Sequence, residues 1–174
     1  MENSLKYTIF KTKWGFFGIL TDCKGLLATS LPTNSYESAK RNLLAGLSEK
    51  AVKKTSIHPH LRSSVTAYYK GDYVDFGKLK IEFNFENLTD FSKRILTTCS
   101  KLKIGQTVTY GQLAIMAGFP GAARAAGSVL AANKWPLLIG CHRVTRSDGI
   151  GRFSGTGGSL TKKMMIEHEK MLIN

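Results

Sequence analysis

The sequence predicts an α+β fold: a small N-terminal α/β sheet domain over residues 1–87, then a mostly helical C-terminal domain over 88–174 that contains a helix-turn-helix. Three observations predict it. Residues 5–31 carry apolar, β-forming runs separated by turn residues. From Asp90 onward the apolar residues recur at helical spacing, and Gly and Ala become frequent. Two short helical stretches, 110–117 and 122–133, are joined by Gly118-Phe119-Pro120-Gly121.

Each element has a local reason. Leu5 to Phe10 alternates as a strand, Trp14 to Leu20 is a second, and Asp22-Cys23-Lys24-Gly25 reads as a hairpin turn into a third, Leu26 to Leu31, that Pro32 ends. Ser35 is an N-cap, and Leu43, Leu44 and Leu47 form the apolar stripe of the helix it starts. Residues 48–60 are polar and basic and read as a loop, with His58 and His60 on the surface. A second helix covers 61–69, and Leu79 to Phe85 alternates again as a returning strand. In the second half, 90–101 form a helix whose inner face includes Cys99. Thr109 caps the helix 110–117, with Gln112 as its capping-box partner. A glycine-rich loop spans 145–158, and a last helix runs from Ser159 to Leu172.

Composition narrows the partners. Of 174 residues, 43% are hydrophobic, enough for a core, and the longest apolar run is too short for a membrane span. The N-terminus lacks a secretory apolar segment, so a cytoplasmic protein is expected, or a nuclear one in a eukaryote. A net charge of +13 and a pI near 9.8 favour a polyanionic partner, nucleic acid first. The three cysteines, Cys23, Cys99 and Cys141, are too widely spaced for a disulfide framework or a zinc knuckle, so no metal is expected.

The chemistry concentrates in Leu137-Leu138-Ile139-Gly140-Cys141-His142-Arg143-Val144, where a thiol, an imidazole and a guanidinium stand between apolar flanks. In an extended segment Cys141 and Arg143 share one face and His142 takes the other, so activation of the thiol by His142 requires a bend or a bridging water. Taken alone, the segment fits an inert core cysteine better than a reactive one. The helix from Ala122 has small residues throughout its first turns, namely Ala122, Ala123, Ala125, Ala126, Gly127 and Ser128, with Arg124 the one long side chain. It fits a helix pressed into a nucleic-acid groove with one inserted arginine, and equally a tightly packed internal helix.

In order along the chain stand Thr107-Val108-Thr109-Tyr110-Gly111-Gln112-Leu113-Ala114, Ala122-Ala123-Arg124-Ala125, Asn133, Ile139-Gly140-Cys141-His142-Arg143-Val144, Phe153-Ser154-Gly155 and His168-Glu169. This set resembles the O6-alkylguanine-DNA alkyltransferases, also called methylated-DNA–protein-cysteine methyltransferases, over residues 90–169; the first half resembles them in architecture alone. The resemblance implies direct reversal of O6-alkylguanine, with O4-alkylthymine as a further substrate, in duplex DNA after base flipping. The alkyl group would pass irreversibly to Cys141, once per molecule, with no cofactor and as a monomer. It implies that His142 activates Cys141 through a water, that Glu169 orients His142, and that Asn133 supports the cysteine turn. Tyr110 would crowd the 3′ phosphate and donate towards the guanine. Arg124 would fill the gap left by the flipped nucleotide, with Ala122, Ala123, Ala125, Gly127, Ser128 and Arg143 also facing DNA in the minor groove. Val144, Phe153, Ser154 and Trp135 would bind the substrate base.

Two positions depart from the family pattern. Gly140 stands where proline is usual, so Cys141 is expected to be less rigidly held. Phe153 stands where tyrosine is common and lacks its hydroxyl. Two other functions compete with the transferase: a non-catalytic lesion sensor that flips alkylguanine and recruits other repair factors, and a Cys-His hydrolase. The sensor reading predicts binding without alkyl loss, and the hydrolase reading predicts turnover of an acyl substrate.

Overall fold

The computed structural model describes residues 5–47, 52–53 and 58–174. The chain divides into two compact units, Met1–Asn84 and Phe85–Asn174, and its secondary structure is α+β as the sequence predicts. Most of the loop expected at 48–60 lies outside the described residues. None of the described helices is long and apolar enough to cross a membrane.

The first unit is built on β1 (Lys6–Thr12), β2 (Gly15–Asp22) and β3 (Gly25–Thr33), an antiparallel meander, with β4 (Val52–Lys53) added parallel to β1. The strands bury consecutive residues in their middles because both faces of the sheet are covered. On one face α1 (Tyr36–Leu44) packs Ala39 and Leu43 onto Tyr7, Ile9 and Leu20. On the other, α2 (Pro59–Lys70) sets Tyr69 against Phe17 at 6.2 Å, and Phe17 in turn meets Phe10 at 5.7 Å.

Three boundaries differ from expectation, each for a local reason. β3 continues through Pro32 to Thr33, which an edge strand permits because one side of its ladder needs no donor. Helix α2 begins two residues early: Pro59 occupies its first turn, and His58 Nδ1 accepts the Leu61 N–H at 3.1 Å as a cap. The strand expected at 79–85 does not form. A 3₁₀ turn, Phe76–Leu79, capped by Asp75, is followed by Lys80 at φ 48°, which turns the chain out of extended geometry. One bridge remains, with the Leu26 N–H donating to the Glu82 carbonyl and the Asn84 N–H to the Leu26 carbonyl.

The second unit packs α3 (Asp90–Ser100), α4 (Tyr110–Met116), α5 (Ala123–Ala131) and α6 (Gly158–Leu172) with a two-stranded parallel ladder, β5 (Val108–Thr109) and β6 (Val144–Thr145). The Thr109–Gln112 capping box forms as predicted. Gly118 and Gly121, both at positive φ, carry the turn from α4 to α5. Cys99 lies fully buried on α3 with Ile95 and Leu96.

Phe17 is completely buried between ring partners. Replacing it by alanine should remove about 3–5 kcal/mol from the stability of the first unit, read as a lowered midpoint in urea unfolding.

Candidate active site

The site begins with a strained loop. Between α5 and β6 the chain passes through Leu137 at φ 75°, a left-handed conformation that a leucine adopts only at a cost. Asn133 holds both ends of the loop: its Oδ1 accepts the Trp135 N–H at 3.0 Å and its Nδ2 donates to the Ile139 carbonyl at 3.2 Å. The Cys141 N–H donates back to the Ile139 carbonyl at 2.7 Å, a tight turn centred on Gly140.

Residues Cys141–Arg143 then form a single 3₁₀ turn, not the extended segment expected from the flanking apolar residues. The segment is therefore bent, where the sequence leaves open a bend or a bridging water between His142 and the thiol. Cys141 lines a groove of about 1120 Å³. His142 turns inward and is fully buried.

Behind the turn, Glu169 of α6 gathers the interior polar groups. Its Oε1 lies 2.6 Å from His142 Nε2, and Arg143 donates to both of its oxygens, from Nε at 2.9 Å and Nη2 at 2.8 Å. The Gly105 N–H adds a bond to Oε2 at 3.0 Å, and Arg143 Nη1 reaches the Leu102 carbonyl at 2.7 Å. Burial alone would raise the Glu169 pKa; the hydrogen bonds and charges of His142 and Arg143 outweigh it and hold the carboxyl below its usual range. An ionised carboxylate only accepts, so His142 Nε2 must carry the hydrogen. Nδ1 is then the basic nitrogen, and it has no hydrogen-bond partner among the described residues. Burial lowers the His142 pKa against the pull of Glu169, which keeps the ring neutral. Burial raises the Cys141 pKa, while Asn133 and the charge of Lys162 pull it down without overcoming that effect.

Lys162 escaped the sequence reading. It is fully buried, and its Nζ donates to the Val144 carbonyl at 2.6 Å, with the Arg152 carbonyl at 3.4 Å and Tyr110 Oη at 3.5 Å. Burial lowers its pKa. The signal for it was its register: Lys162, Met165 and Glu169 fall on one face of α6, the face that is buried.

The groove gathers Tyr110, Ala123, Arg124, Gly127, Ser128, Cys141, Phe153 and Ser154 along its lining. Arg124 is exposed, and the Tyr110 ring lies beside Gly127 of α5 at a distance where a Cβ would make ordinary contact, 3.7 Å. Burial raises the Tyr110 pKa, so its hydroxyl remains protonated. Ser154 Oγ donates to the Ala131 carbonyl at 2.7 Å. Ala122 and Ala125 lie on α5 or at its cap, outside the lining, Ala125 exposed. Two expectations are corrected. Arg143, grouped with DNA-facing residues, is buried with its guanidinium turned onto Glu169. Trp135, grouped with the base-binding residues, is buried edge-on against Phe85 at 5.0 Å because the strained loop folds it inward. The side chain of Val144 is likewise internal, and its carbonyl is engaged by Lys162.

Known proteins match this half of the chain. Residues 90–171 match the model of the 6-O-methylguanine DNA methyltransferase DNA-binding domain. A methylated-DNA–protein-cysteine methyltransferase of Mus musculus is 49% identical over 81 residues, 45% of this chain and 38% of that protein. One from Methanothermobacter thermautotrophicus is 37% identical over 110 residues, 63% of this chain and 59% of its own length. The chain thus spans less than two thirds of these relatives. In fold, it resembles the Mycobacterium tuberculosis OGT crystallised in complex with DNA, with a TM-score of 0.73 and 22% identity over 97% of this chain and 99% of the other. Over residues 90–171, the chain is thus similar to the DNA-binding domain of the 6-O-methylguanine DNA methyltransferases and to proteins named methylated-DNA–protein-cysteine methyltransferase.

Proposed function

We propose that this protein repairs alkylated DNA by direct reversal, moving the alkyl group from O6 of guanine in a duplex to Cys141 once per molecule, without a cofactor. One observation carries the reading: a buried thiol lining a groove, backed by a Glu169–His142 pair whose second ring nitrogen is basic and without a hydrogen-bond partner among the described residues.

The chain's residues account for each step. Lys and Arg outnumber Asp and Glu, 25 to 12, and supply a salt-sensitive attraction to phosphates. Helices α4 and α5 act as a helix-turn-helix, with the small residues of α5 lying in the minor groove and Arg124 filling the space of the flipped nucleotide. The thiol proton passes through a bridging water to His142 Nδ1, and Glu169 stabilises the resulting imidazolium. Cys141 Sγ attacks the alkyl carbon; the S–C bond forms as the C–O6 bond breaks, and the electron pair returns to the guanine. Tyr110, held protonated, donates a hydrogen bond to that leaving base, and the proton taken from the thiol returns through water to the guanine ring nitrogen, which leaves guanine and His142 neutral. Lys162 fixes the Val144 carbonyl and the Tyr110 ring from behind, leaving the carbonyl's second lone pair for the base. A thioether is not reversed under these conditions, so the reaction stops after one event. The protein acts as a monomer in the compartment that holds the DNA.

The deciding measurement is intact mass after mixing equal amounts of protein and an O6-methylguanine duplex. We expect one added methyl on Cys141, restored guanine, no second event, and no transfer by Cys141→Ser. Tight binding without a mass change would instead support a lesion sensor. Arg124→Ala should slow repair in duplex DNA far more than attack on a free modified base.

Lys162→Met should reduce the transfer rate by roughly 10–100-fold, the loss expected for a charged hydrogen bond, in single-turnover quench experiments. Full activity in that variant would remove the positioning role.

A lowered His142 pKa also fixes the acid dependence of stability. The unfolded chain takes up a proton that the folded one resists, so His142 contributes fully above the ordinary value of about 6.5 and the contribution is lost as the pH falls below it. Glu169, also lowered, adds its loss only below about 4.3. Thermal melts across this range should show the first loss in the unaltered chain and not in His142→Asn.

A further inference from the structure

The turn that carries Cys141 is centred on a glycine where the family resemblance expects proline. The backbone there does not require glycine: φ is −69° and ψ 53°, a region proline occupies. Replacing glycine by proline at such a φ ordinarily stabilises a protein by restricting its unfolded chain. The surroundings of Gly140 reverse that expectation. A Cβ at this position would stand 2.7 Å from Arg143 Nη1, 2.9 Å from its Cδ and 3.0 Å from its Cζ.

Arg143 folds back over its own turn, its N–H donating to the Gly140 carbonyl at 2.8 Å. A flexible arginine could normally retreat. This one is fixed along both edges of its guanidinium, by the Leu102 carbonyl at Nη1 and by Glu169 at Nε and Nη2. Relief of the overlap requires a shift of several tenths of an ångström, which lengthens those bonds. Glu169 also holds His142, so the displacement reaches the imidazole.

We infer that Gly140 is a positioning residue for transfer, its missing side chain being the seat of the Arg143 guanidinium that holds Glu169 and His142 in register. The inference rests on the transferase reading and deepens it. The rigidity of Cys141 comes from the arginine packed on the turn in place of a proline ring within it.

Gly140→Ala and Gly140→Pro test this in the full chain, with three readouts: melting temperature, single-turnover transfer rate, and the NMR signal of the Arg143 Nε–H. Both variants should melt lower, transfer about tenfold more slowly because the base is misplaced, and lose the slow solvent exchange of that Nε–H. A Gly140→Pro protein with an unchanged or raised melting temperature, full rate and a protected Nε–H would overturn the proposal. Should the single variants fail to fold, the Arg143→Leu background decides. A cost of Gly140→Ala that vanishes there supports the seat, and a cost that persists undiminished removes it. No transfer by the unaltered chain would defeat the transferase reading instead, and the melting temperature and Nε–H signal would still judge Gly140.

Discussion

One buried carboxylate organises the catalytic half of this protein. Glu169 is a charge buried in the interior, a state that is tolerated only when a partner and hydrogen bonds replace the lost hydration. Here they do so completely enough that its pKa falls in spite of burial. The replacement comes from two separate stretches of chain, the turn at Gly105 and the 3₁₀ turn at His142 and Arg143. The second unit therefore closes around a polar centre as well as an apolar core. Arg143 balances the charge of Glu169, so the cluster is neutral when His142 is neutral, which suits a site that must receive one proton during reaction.

The surface chemistry and the interior chemistry are assigned to different residues of the same short segment. Cys141 opens onto the groove, while His142 and Arg143 face inward. The 3₁₀ turn makes this possible, since it rotates successive side chains by about a third of a circle where a strand alternates them. The strained Leu137 and the two bonds of Asn133 hold the turn against the groove.

Much of this was legible beforehand. The capping box and the α5 stripe of small residues with Arg124 follow from residue types and spacing, and the link between His142 and Glu169 is what the family resemblance implies. What failed was decided by tertiary contacts that no local pattern carries. Arg143 was placed on the surface because arginine usually is; only Glu169, 26 residues on, makes its burial sensible. The resemblance groups Trp135 with the base-binding residues, and its burial against Phe85 turns it inward. The strand at 79–85 was lost to one cap, Asp75, and one left-handed lysine. Gly140 was read as a loosened hinge, because the guanidinium that occupies its missing side chain is visible only in three dimensions.

The bond from the Gly105 amide to Glu169 has a mechanical meaning. It links the cysteine turn, through a single carboxylate, to a loop that precedes it by 36 residues at its anchor point. A group attached to the thiol presses on a turn whose arginine and histidine share that carboxylate, and the pressure has nowhere to dissipate locally. The helix pair that begins at Tyr110 lies directly downstream of this anchor. Through that one shared oxygen pair, the cysteine turn is tied to the stretch of chain that leads into α4 and α5.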